Sequence, residues 1–105
     1  MPYDPSPLSR DALKTLREIA QDLDSGKAEY DSPRSAARVL RDLHELAEYL
    51  PRILLQTSAA VGRMARDQDD ATSVARAIGE AATTVTGLQD QLRRAHEAAQ
   101  DVRAR

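Results

Sequence analysis

Residues 43–64, LHELAEYLPRILLQTSAAVGRM, pose the question on which the fold turns: whether the proline at position 51 ends a helix or sits inside one. A proline within a helix removes one backbone hydrogen bond and crowds the preceding turn, at a cost of roughly 3 kcal/mol. Yet Ala36, Leu40, Leu43, Ala47, Leu50, Leu54, Thr57, Val61 and Met64 recur at alternating four- and three-residue steps, in phase on both sides of Pro51. A new helix with an unrelated axis would not keep that phase, so the pattern predicts one long helix over 33–67, kinked near the proline.

The flanking sequence punctuates this helix. Ser32-Pro33 supplies a capping hydroxyl followed by a residue preset for the first helical turn. Asp67-Gln68-Asp69-Asp70 interrupts the pattern, with Asp69 or Asp70 placed to cap a third helix running to about Val102. The expected seam of that helix is Val74, Ile78, Ala81, Val85, Leu88, Leu92, Ala95, Ala99 and Val102. Folding back at 67–70 sets Val61 against Val74, Leu50 against Val85 and Leu40 against Ala95, with a register slid by one heptad as the alternative.

Upstream, residues 1–6 read as a disordered arm and Ser6-Pro7 as the start of a first helix. Its apolar positions Ala12, Leu13, Leu16, Ile19, Ala20 and Leu23 share one face, and Ser25-Gly26 ends it. Residues 7–105 then form a single all-α domain, a short N-terminal helix packed on a long antiparallel hairpin. The first helix should cover Val39 and Leu46 but is too short to reach the loop-proximal half, since the hairpin spans roughly 50 Å at about 1.5 Å per residue. The positions beside the seam are apolar where an isolated coiled coil would carry charges. An interface centred on Ile53, Leu55, Val61 and Ile78 is therefore expected, filled by a second copy in a dimeric bundle or by a partner's helix.

Composition narrows the function. The 105 residues include no Cys, Trp or Phe and carry a net charge of -2, which offers no bulk attraction to nucleic acid or anionic membrane. No apolar run approaches membrane-spanning length and no targeting segment is evident at the start, so a cytoplasmic location is expected. Thirteen arginines against two lysines, with no Asn, suggest a GC-rich bacterial genome.

Three clusters merit attention. Gly79 and Gly87 bracket a stretch of low helix propensity that also holds Thr83, Thr84 and Thr86, and suggest a hinge or a close docking surface. His44 and His96 lack the helical spacing of zinc or di-iron ligands, so neither a metal nor another cofactor is expected. Arg34, Arg38 and Arg41 form a stripe, with Arg93, Arg94, Arg103 and Arg105 toward the same end of the hairpin, a candidate anion or nucleic-acid contact. Acidic residues interleave with both groups, which predicts a salt-bridged surface instead. Without a phosphate loop or a nucleophile in a recognisable setting, the expected role is a non-catalytic helical interaction module, a regulatory or accessory protein. The alternative is an arginine-mediated nucleic-acid or nucleotide binder.

Overall fold

The computed structural model describes residues 2–103 and contains three helices: α1 (Ser6–Ser25), α2 (Pro33–Met64) and α3 (Gln68–Gln100). The chain divides into two units, one ending at Tyr30 and one beginning at Asp31. The expected packing of α1 against Val39 and Leu46 would join residues of different units.

In the first unit, α1 begins one residue earlier than the sequence suggests, with Ser6 already helical. Its hydroxyl does not cap. Instead the Asp4 carboxylate accepts the Ser6 backbone N–H at 2.8 Å, which holds the Asp4 carboxyl below its ordinary range. At the other end Gly26 takes the left-handed conformation, φ 81°, and donates its N–H to the Leu23 carbonyl. Only glycine adopts that conformation freely, so the stop expected at Ser25-Gly26 is where the structure has it. Taken by itself α1 is amphipathic, with Leu13, Leu16 and Ile19 exposed along one face.

The second unit is the helical hairpin. A reciprocal capping box opens α2: Ser35 donates its backbone N–H to the Ser32 hydroxyl and Ser32 donates its own to the Ser35 hydroxyl, both at 3.2 Å. From Pro33 the helix runs unbroken through Pro51 to Met64. Pro51 has no N–H to donate to the Ala47 carbonyl, but the turns on either side remain helical because both halves pack against the same partner helix. Nearby, the Arg52 guanidinium lies 5.7 Å from the centre of the Tyr49 ring.

The connection between the long helices is shorter than the sequence suggests. α2 ends at Met64 rather than near residue 67, where Ala65 turns to an extended conformation with ψ 134°. Asp67, not Asp69 or Asp70, is the N-cap of α3; its carboxylate accepts the Asp69 N–H at 2.9 Å. Asp69 and Asp70 lie inside the first turn, where they complement the positive end of the helix dipole. Three residues outside the helices are enough to reverse the chain, because the cap satisfies an N–H that would otherwise need a longer loop.

Packing of α2 on α3 departs from the heptad expectation in a systematic way. The residues withdrawn from solvent in α3 are Ala71, Val74, Ile78, Gly79, Ala82, Val85, Gln89, Leu92, His96 and Ala99, so Ala82, Gln89 and His96 occupy the places expected of Ala81, Leu88 and Ala95. In α2 the contact turns likewise toward Ala37, His44, Pro51 and Ser58, while Thr57 and Met64 are exposed. Each helix is therefore rotated by a fraction of the 100° that separates successive residues. Small side chains explain the turn. The core consists of Ala37, Ala47 and Ala82, with Ala47 only 2 % and Ala82 9 % exposed, and alanines let two helix backbones come close and gain contacts over their whole length. Two helices cannot enclose a leucine, so Leu40, Leu43, Leu50, Leu54 and Leu92 line the edges of the contact, half-buried.

Candidate functional site

The rotation has two geometric consequences, one on each flank of the hairpin. Both helices turn the same way about their own axes, and in an antiparallel pair this displaces the left-out apolar positions to one side. That flank exposes Leu46, Ile53 and Met64 from α2 and Leu88 from α3. Leu46 and Ile53 are two turns apart and Ile53 and Met64 three, so they form a stripe along the helix. Ile53 is 57 %, Met64 73 % and Leu88 41 % exposed, values ordinary for lysine and unusual for a row of large apolar side chains.

The residues singled out from the sequence do not form one patch. Leu55 is exposed, but two residues from Ile53 means about 200° around the helix, on the opposite flank. Val61 and Ile78 are half-buried between the helices, where they belong to the hairpin's own contact. Gly79 is half-buried and Gly87 exposed, and a methyl group added at either would meet nothing within 4 Å. No part of this chain therefore approaches those glycines closely among the described residues. The segment between them is fully helical, and its threonines attach to it: Thr83, Thr84 and Thr86 each donate a hydroxyl hydrogen bond to the carbonyl four residues back, at 3.1 Å. Met64 and Leu88 were assigned by the heptad pattern to the interior; the signal that could have placed them outside is the line of small residues beside the seam.

On the other flank, at the open end of the hairpin, an open cleft of about 760 Å³ lies between the start of α2 and the end of α3. It is lined by the N-cap Ser32 and, from α2, by Pro33, Arg34, Ala37, Arg38 and Arg41. His96, Ala99 and Gln100 complete it from α3, with Val102 just beyond the helix. Residues 32–41 thus stand level with 96–102, which is the register that sets Leu40 near Ala95 and not the one slid by a heptad. The slid register would have brought His44 toward His96; here His44 instead lies with its Nε2 3.9 Å from the Glu48 carboxylate, one turn along its own helix.

The two arginine groups behave differently. Arg93 is held by Asp90 at 2.7 Å and Glu97 at 2.9 Å, and the Arg94 Nε meets Asp90 at 3.2 Å. The hydrogen bond from Arg93 is the main reason that the Asp90 carboxyl is held below its ordinary range. Arg94 therefore faces a carboxylate and does not line the cavity, Arg103 is exposed, and Arg105 lies outside the described residues. Arg34 and Arg38, in contrast, have no ion pair among the described residues, and Arg41 meets only its neighbour Asp42, at 3.5 Å. The salt-bridged face expected from the interleaved acids forms on α3 and not around these two arginines of α2.

Among the described residues no group of three His, Asp or Glu side chains is placed to hold a metal ion, and no helix is long and apolar enough to cross a membrane. Set against protein-family models, curated proteins and solved structures, the chain matches none of them.

Proposed function

We propose that the protein is a non-catalytic helical assembly module, acting in the cytoplasm as a bacterial regulatory or accessory protein, and that it works by homodimerisation through the flank carrying Leu46, Ile53, Met64 and Leu88. The observation that carries this reading is the composition of the hairpin's own contact. Its core is three alanines, and no large side chain is fully buried among the described residues. A hairpin with so little interior leaves a row of large apolar side chains in water, and one further helical layer over the exposed stripe would convert it into core. A second copy supplies a self-complementary stripe by two-fold symmetry, the commonest solution among soluble assemblies.

Size-exclusion chromatography with light scattering at tens of micromolar is the direct test. The expected mass is twice the 11.5 kDa of one chain, falling to one chain in Ile53→Glu. Since Ile53 is exposed in the hairpin itself, the variant should keep its helical circular dichroism. A wild-type monomer under these conditions would refute homodimerisation, leaving capture of a partner's helix as the use of the face.

A further inference from the structure

The cleft at the open end of the hairpin is not used by the apolar flank and lies on the other side of the hairpin. We propose that it binds a small phosphorylated molecule, with the phosphate gripped by Arg34, Arg38 and Arg41 and the less polar body resting on Ala37, Ala99 and Val102.

Charge is the first argument. Among the described residues three guanidinium groups line the cavity and no carboxylate does, in a chain whose net charge is -2. Had these arginines served only to solubilise α2, partners were within reach: Asp42 is four residues after Arg38, and Glu45 four after Arg41, the spacing at which helical ion pairs form. Neither pair forms. The same spacing is used on α3, where Arg93 reaches Glu97. Arg34 and Arg38 also donate no hydrogen bond to protein among the described residues, which leaves five N–H donors on each for a ligand. The C-terminal carbonyls of α3, the negative end of its dipole, lie at the same end of the hairpin. None of the three arginines donates to them among the described residues, so helix capping does not account for the cluster.

Geometry is the second. The three arginines follow at four- and three-residue steps, so their Cα atoms span about 10 Å along one side of α2, a distance their long side chains can close onto a single group. A monocarboxylate is matched by one guanidinium fork; the unpaired forks of Arg34 and Arg38, with Arg41 beside them also meeting Asp42, call for the two charges and three terminal oxygens of a phosphate monoester. Ser32 and Gln100 offer neutral polar groups beside them, and the apolar side chains form a wall for the rest of the ligand. The volume lies within the ~300–1,000 Å³ typical of small-molecule pockets. A nucleic-acid strand fits less well, since the lining contains no aromatic side chain on which bases could stack and the charge is gathered in a hollow instead of along a track.

Amide-resolved NMR titration at constant ionic strength tests the proposal, using phenyl phosphate as the probe, benzoate as a carboxylate control and a single-stranded oligonucleotide as the competing ligand. Phenyl phosphate should give saturable shifts confined to residues 32–41 and 96–102, benzoate should not, and the double variant Arg34→Gln/Arg38→Gln should weaken binding by at least about tenfold. Both arginines are exposed, so the variant should fold; Arg76→Gln is the control expected to leave binding unchanged. Performing the titration on Ile53→Glu as well separates this site from the dimer, because binding should persist in the monomer. The proposal is overturned if shifts spread over Arg76 and Arg94 without saturating, if the double variant binds as tightly as wild type, or if only the oligonucleotide saturates.

Discussion

Ala81 and Ala82 are adjacent, identical and about 100° apart on α3, so a leucine placed at each in turn reads out which way the helix faces. Ala82 is 9 % exposed against α2, whereas Ala81 is exposed on the apolar flank. Ala82→Leu adds three carbons where two backbones approach closely, and overpacking of that kind costs about 1–3 kcal/mol. Leucine and alanine are both good helix formers, so Ala81→Leu should stay within about 0.5 kcal/mol of wild type. At roughly 0.05–0.15 kcal/mol per residue, a hairpin of about 75 residues has only about 4–11 kcal/mol in total. A 2 kcal/mol loss would lower its Tm by about 8–16 °C. Urea and thermal unfolding followed by circular dichroism should be run in the Ile53→Glu background, so that association through the flank does not contribute. If Ala81→Leu destabilises the hairpin more than Ala82→Leu does, the helices meet along the heptad seam and the account of the alanine contact is refuted.

Two further outcomes follow from the local geometry. Gly79→Ala and Gly87→Ala each place a methyl group in open space at a position with no positive φ, so each should raise the urea midpoint, corresponding to a gain of about 0.5–1 kcal/mol; a loss would mean that the backbone there requires glycine. Asp90 is held below its ordinary value of 3.8 by Arg93, so its folded pKa lies under its unfolded one. The stabilisation from this pair is then present above 3.8 and lost as the pH falls through the folded value; Arg93→Ala should raise the carboxyl toward its ordinary range in an NMR titration, with Arg94 still holding it slightly down, and the same Asp90 titration in the variant as in wild type would discount the pairing.

Much of the architecture was legible because it depends on local chemistry. Ser32-Pro33, Ser25-Gly26 and the phase carried across Pro51 act within a few residues, and each appears in the structure as the sequence suggests. The cap of α3 was misplaced by two or three residues because Asp67, Asp69 and Asp70 can all accept a backbone N–H, and the choice among them depends on how soon α2 ends. The arginine site was half legible. Arg34, Arg38 and Arg41 stand out by spacing, but that Asp42 leaves Arg38 unpaired, and that His96 and Gln100 line the cleft from 55 or more residues away, is a property of folded side chains.

By itself, then, the sequence determined three helices, their caps within a few residues and an antiparallel hairpin, since these rest on periodicity and on hydrogen bonds between near neighbours. Only the tertiary structure decided which stripe of each long helix faces the other. Leucines and alanines lie side by side on both, and hydrophobicity favours the leucine stripe. Close approach favours the alanine stripe, and with only two helices no interior exists to enclose leucine, so the small residues meet. That rotation moves Leu46, Ile53, Met64 and Leu88 onto one open flank and leaves the arginine-lined cavity on the other.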